Sequence, residues 1–218
     1  MSAGLYVSGE WEREKVNLSE GQGDESACVP KRHTWRVSLR QHLHEAQRLE
    51  LRFVCAQRHL SGRGLLNVVA VTTNWLGNGW LYLFLAAALL VGASQRAYSV
   101  LMGAGLAVAA AHAVYPWIKR KIARLRPFEQ LPQLRPRTPV MDRYSFPSGH
   151  CMTVTAVSIP FAQGYPELTW WAVSVCLLVA WARIACAHHY PSDLLAGCAL
   201  GAVMAFGSAA VMQTAQML

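Results

Sequence analysis

The chain has 218 residues, of which 53% are hydrophobic and only 15% charged, with a formal net charge of +8. A soluble domain averages about 25% charged residues, so disorder is excluded and a water-soluble globule is not expected. Eight of the twelve acidic residues precede Leu65, and the basic residues beyond it are clustered, which leaves long uncharged runs. The chain reads as a membrane protein. Its positive charge sits beside apolar spans and not on a soluble face, so anionic headgroups and membrane orientation account for it. Nucleic acid is not an expected partner. Six cysteines form no C-x-x-C pair, so neither a zinc site nor a redox dithiol is indicated.

Residues 1–29 are rich in Gly, Ser and Glu and read as a flexible tail; without an apolar core they predict no cleavable signal peptide. Over residues 34–59, Val37, Leu39, Leu43, Leu49, Phe53 and Val54 recur among Arg and Gln. This is an amphipathic helix with a basic face, suited to a membrane surface or to packing on its own protein. Residues 65–76 are apolar but too short for a span, which needs about twenty residues, so they are expected at the interface. Gly77-Asn78-Gly79 then turns the chain. Expected spans come next at residues 80–93, 98–118, 147–165, 168–186 and 194–212. Trp75, Trp80, Trp117, Trp170 and Trp171 fall at their ends, as an aromatic belt does. The expected fold is an all-helical polytopic membrane bundle of about five transmembrane helices plus interfacial amphipathic helices. Residues 1–64 form a polar tail with an amphipathic helix, and residues 65–218 form the membrane-embedded domain.

One loop departs from this pattern. Residues 119–147 carry eight Lys/Arg and five prolines, neither lipid-soluble nor regular, and long irregular loops of this kind are usually functional. With one crossing per span, three polar clusters emerge on one face: Lys119 and Arg126, then His150, then Arg183, His188, His189 and Asp193. Lys and the Arg fork suit phosphate oxygens. Pro147-Ser148-Gly149-His150 reads as a loop entering a helix, whose free N–H groups make an anion site. Two histidines can share the roles of nucleophile and general acid, and a carboxylate four residues after His189 can fix its tautomer. No dense Asp/Glu cluster is present to hold a divalent metal, so a metal-free route without a cofactor is expected. His112 reads as a packing or hydrogen-bonding residue. Arg120, Lys121, Arg124, Arg135, Arg137 and Arg143 read as topology and headgroup charges.

These residues resemble a known family. Lys119, six residues and Arg126-Pro127, then Pro147-Ser148-Gly149-His150, then Arg183, five residues, His189, three residues and Asp193 are similar to the three signatures of the type 2 phosphatidic acid phosphatase (lipid phosphate phosphatase) superfamily. The family usually has Ser before the third-signature Arg, where this chain has Ala182. The resemblance implies a membrane lipid phosphatase with His189 as nucleophile, Asp193 orienting it and His150 as acid and then base. It implies phosphate binding by Lys119, Arg126, Arg183, Ser148 and Gly149. Phosphatidic acid, phosphatidylglycerol phosphate and isoprenyl diphosphates are the implied substrates. A lipid phosphotransferase and an inert scaffold are the alternatives. The implied location is the bacterial cytoplasmic membrane; basic residues favour a cytoplasmic site, whereas many bacterial relatives work on the outer face.

Overall fold

Long uncharged runs leave a backbone in lipid one way to satisfy its hydrogen bonds within a single segment, the helix. The computed structural model describes residues 34–92, 94–131 and 133–217, and every regular element among them is helical. They are α1 (Thr34–Leu60), α2 (Gly64–Leu76), α3 (Trp80–Val91), α4 (Gln95–Ile122), α5 (Pro127–Gln130), α6 (Gly149–Gly164), α7 (Thr169–Ala185) and α8 (Pro191–Met217). A single 3-10 turn, Pro166–Leu168, precedes α7. The expected flexible tail lies outside the described residues. Residues His42–Leu218 form one compact unit, to which the apolar helices all belong.

Among the described residues, three stretches are long and apolar enough to cross a membrane: Gln95–Gln130, Pro166–Ala185 and Pro191–Ala215. The pair α2 and α3, bent by 66°, makes a fourth if it is taken as one broken span. The sequence suggested five. The difference lies in α3 and α6, whose 12 and 16 residues reach about 18 and 24 Å at 1.5 Å per residue, short of a hydrocarbon core of about 30 Å. The bend between α2 and α3 falls at Gly77-Asn78-Gly79, where Gly79 has φ +127, a conformation that side chains with a Cβ rarely adopt.

Helix α6 is central, packed on α4, α7 and α8. Its contact with α8 is set by Gly197 and Gly201, one turn apart. A Cβ on Gly197 would lie 2.4 Å from the Ser148 carbonyl oxygen, and one on Gly201 would lie 2.3 Å from that of Met152. Small residues at this spacing let two backbones touch in lipid, where burial of apolar surface gives helices no reason to associate. Ala107, Ala156 and Ala205 continue the seam between α4, α6 and α8. Large apolar side chains point outward instead: Trp170 is 81% and Leu195 72% accessible. This is the arrangement a lipid solvent favours.

Of the two settings open to the amphipathic helix, α1 packs at Val54 on its own protein. Val54 is fully buried in a cluster with Leu134, Ile184, Tyr190 and Leu194, while Leu49 and Phe53 remain exposed.

The α6–α8 seam generates a stability prediction. Overpacking costs about 1–3 kcal/mol, so Gly201→Val should lower the melting temperature in detergent by roughly 5 °C or more. Gly207→Val, where a Cβ meets nothing within 4 Å, is the control and should melt close to the parent. Equal melting of the two variants would remove the seam from the account.

Candidate active site

The site begins at the N-terminus of α6. Ser148 occupies the N-cap in an extended conformation, and its hydroxyl accepts a bond from the Cys151 N–H at 3.5 Å. Its own N–H donates to the Asp193 carbonyl at 2.9 Å, which ties the start of α6 to the start of α8. Gly149 is required by a close approach, because a Cβ there would sit 2.8 Å from the Tyr115 hydroxyl. His150 projects from the first turn, with Nε2 2.7 Å from Asn78 Oδ1.

Three cations converge opposite this turn. Lys119 lies in the last turn of α4, Arg126 caps α5 and Arg183 lies in the last turn of α7; all three are buried. Arg126 is held at both ends. Its backbone N–H donates to Glu129 Oε2 at 2.8 Å, and its Nη1 donates to the His188 carbonyl at 2.8 Å. Asp142 pairs with two of the cations, at 2.7 Å from Lys119 Nζ and 2.6 Å from Arg126 Nη2. Burial pushes the Asp142 carboxyl up, but the bonds and charges of Lys119 and Arg126 outweigh it and hold the group below the usual carboxylate range. Arg183 donates from Nη1 to Asn74 Oδ1, and its buried Nε has no partner. That N–H is a free donor, of the kind a phosphate oxygen satisfies.

The α7–α8 turn supplies the second histidine. Ala187 turns the chain in a left-handed conformation, φ +59, and sends two adjacent histidines in different directions. His188 Nε2 lies 3.1 Å from the Thr138 carbonyl and pins the loop. His189 Nε2 instead lies 3.4 Å from Arg126 Nη1, and its Nδ1 lies 3.6 Å from Asp193 Oδ2. Because Arg126 has only hydrogens to offer, this contact assigns the lone pair to Nε2 and the proton to Nδ1, which lies on the Asp193 side but makes no hydrogen bond at 3.6 Å. Burial, with the positive charges of Arg126 and Arg183, lowers the His189 pKa well below its ordinary value, so the free imidazole is neutral and nucleophilic.

Asp193 is shared. Its Oδ2 accepts from the Tyr190 N–H at 2.9 Å and its Oδ1 from Arg124 Nη1 at 2.7 Å. Arg124 also donates to Ser192 Oγ at 2.7 Å and to Glu50 Oε2 of α1 at 2.7 Å. Glu50 in turn accepts from the Ser192 N–H at 2.8 Å. By sequence Arg124 belongs with the topology charges; the structure makes it the counter-ion of Asp193.

Lys119, Arg126, Gly149, His150, Arg183 and His189 line one cavity of about 440 Å³. Ser148 and Asp193 lie behind its wall, one capping α6 and the other beside His189. His112, expected to be a packing or hydrogen-bonding residue, has Nδ1 3.0 Å from the Val108 carbonyl and lines the cavity too, as do Tyr82, Asn78, Tyr115 and Asp142. Sequence reasoning misses Asn74 and Asn78 although they stand in or beside an apolar run, where a polar side chain is a functional signal in itself. Arg124 and Asp142 give no such signal, since their loop is full of charge.

With this geometry in view, the chain matches the PAP2 superfamily over residues 100–217. It belongs to the PAP2 superfamily. PAP2 relatives include decaprenylphosphoryl-5-phosphoribose phosphatase of Mycobacterium tuberculosis, 37% identical over 58% of this chain and 67% of the relative. Another is the undecaprenyl-diphosphatase of Sulfolobus acidocaldarius, 30% identical over 44% of this chain and 47% of the relative. Among solved structures, a transmembrane PAP2 type phosphatidylglycerolphosphate phosphatase from Bacillus subtilis superposes with a TM-score of 0.61 at 21% identity. That superposition covers 78% of this chain and 87% of the other. PAP2 membership and the apolar helices make this an integral membrane protein of the lipid phosphatase family. Ala182, where PAP2 proteins usually carry Ser, is fully buried next to Arg183, whose hydrogen-bond partner is Asn74.

Removing Arg124 would leave the buried Asp193 carboxylate without its cation, a loss of about 3–5 kcal/mol in comparable pairs. Arg124→Met should therefore lower the melting temperature by roughly 6 °C or more and reduce turnover with it. Arg143→Met, at an exposed position in the same loop, should do neither. Identical behaviour of the two variants would return Arg124 to the surface charges.

Proposed function

We propose that this protein hydrolyses the terminal phosphate or diphosphate of a membrane lipid through a phosphohistidine formed on His189. The observation that carries this reading is a single cavity in which His189 Nε2, His150 and three buried cations face one another. Lys119, Arg126, Arg183 and the α6 N-terminus at Ser148 and Gly149 hold the phosphate oxygens and stabilise the charge that builds in the transition state. His189 Nε2 attacks phosphorus, and the P–N bond forms as the bond to the leaving oxygen breaks. Burial and the charges of Arg183 and Arg126 hold the His150 pKa down to about 3 in the free protein, so His150 gains the proton it gives to that oxygen only with the negative charge that the bound phosphate brings. The Nδ1 proton of the imidazolium faces Asp193, whose charge stabilises it. His150, now neutral, takes a proton from water as the water attacks phosphorus; inorganic phosphate leaves and His189 is restored.

Polyprenyl phosphates are the favoured substrate class, because the two relatives described above are phosphatases of decaprenyl- and undecaprenyl-linked phosphates. Phosphatidic acid and phosphatidylglycerol phosphate are the comparison substrates. Residues 65–218 are proposed as the phosphatase domain, in a bacterial cytoplasmic membrane. Release of inorganic phosphate from a panel of these lipids by the purified protein tests the reading. His189→Ala should lower turnover by at least about 10³, as loss of a nucleophile does in a catalytic triad. Near-parental turnover in that variant, with His188 intact, would discard the scheme.

The positive charge that meets the substrate comes from Lys119, Arg126 and Arg183, so EDTA should leave the rate within about twofold of its untreated value. Vanadate, which adopts a five-coordinate geometry like that of phosphorus in flight, should inhibit competitively. Complete loss of rate in EDTA with recovery on adding magnesium would contradict the cationic clamp.

A further inference from the structure

No step of the proposed reaction uses Asp142, yet its carboxylate sits on two of the three cations assigned above to phosphate. Oδ2 accepts from Lys119 Nζ at 2.7 Å and from the Tyr115 hydroxyl at 3.0 Å, while Oδ1 accepts from Arg126 Nη2 at 2.6 Å. Both cations are buried, but the Asp142 side chain remains 37% accessible, in a stretch without regular structure. Its backbone carbonyl is held separately, by Arg126 Nε at 3.2 Å. Rotation of the side chain can therefore empty the clamp while the loop stays attached. Arg183 Nε remains unpartnered throughout.

The surroundings give this arrangement a purpose. A site that opens among lipid headgroups meets phosphodiesters, each with one negative charge, far more often than it meets terminal phosphates. A phosphomonoester carries about −1.5 to −2 and a third free oxygen. A tethered carboxylate has one charge and two oxygens, the same as a diester, but acts at the effective concentration of an intramolecular ligand, about millimolar or above. It holds its own against the diester. A terminal phosphate brings more charge and reaches Arg183 as well, so it displaces the carboxylate.

We propose that Asp142 is a specificity-determining residue, an internal anion that keeps phosphodiester headgroups out of the Lys119–Arg126 clamp and yields to a terminal phosphate or diphosphate. This rests on the lipid phosphatase reading above. A merely structural Asp142 predicts weaker substrate binding on its removal; a competing Asp142 predicts the reverse.

The test uses the full-length protein in nonionic detergent micelles, with undecaprenyl diphosphate as substrate. Phosphatidylcholine is added as the diester competitor, which leaves surface charge unchanged, and an equal mole fraction of monoolein controls for surface dilution. For Asp142→Asn, KM in detergent alone should fall about threefold, and phosphatidylcholine should raise it at least about tenfold over monoolein. The parent should shift less than about twofold between the two additives, and Asp142→Glu, which keeps the carboxylate, should follow the parent. Asp142→Ser should follow Asp142→Asn and replaces it if the amide variant elutes as aggregate. A higher KM for the neutral variants in detergent alone, or their indifference to phosphatidylcholine, overturns the proposal. An inactive parent across the lipid panel fails the phosphatase reading instead, so the two failures are distinct.

Discussion

Three cationic side chains buried within one cavity are the constraint on which the site depends. Taking an ion out of water costs several kcal/mol even after relaxation, and Lys119, Arg126 and Arg183 repel one another as well. Each is stabilised differently. Lys119 and Arg126 share Asp142, Arg126 also donates to a carbonyl, and Arg183 has only the neutral oxygen of Asn74. The set is therefore short of negative charge, and the shortfall is largest at Arg183. An anion completes it better than water does, and this is the physical basis of the proposed phosphate binding.

The helices serve that constraint through close backbone contact. Gly197 and Gly201 bring α8 against α6, and the bond from the Ser148 N–H to the Asp193 carbonyl then sets the first turns of the two helices side by side. Those turns carry His150 and Asp193. The spacing between the two sides of the cavity thus depends on glycines at least a turn away from any reacting atom, where a larger residue would push α8 outward.

Much of this was legible in the sequence, and the remainder was hidden for specific reasons. Helices announced themselves as uncharged runs, and Lys119, Arg126, Arg183, His150 and His189 followed from their places at span ends, whereas His112, inside a span, did not. The number of crossings did not follow, because run length does not reveal a break: α2 and α3 read as an interfacial piece and a span, yet they form a bent pair at Gly79. Arg124 and Asp142 were lost in a loop crowded with charge, where only three-dimensional pairing tells a counter-ion from a headgroup anchor. Asn74 and Asn78 were visible as polar residues but lacked an assigned partner, since Arg183 and His150 lie far along the chain from them.

Chain order gives the two groups of ion pairs different places in biogenesis. Asp142 follows Lys119 by 23 residues and Arg126 by 16, so the clamp is neutralised by a segment made directly after it. Arg124 has Glu50 of α1 before it in the chain but meets Asp193, 69 residues on, only with α8. A chain that ends within α6 already contains both partners of the Asp142 pairs, whereas Asp193 is still to be made. The surroundings of His189 are completed last, by α7 and α8, so the proposed hydrolysis needs the finished bundle.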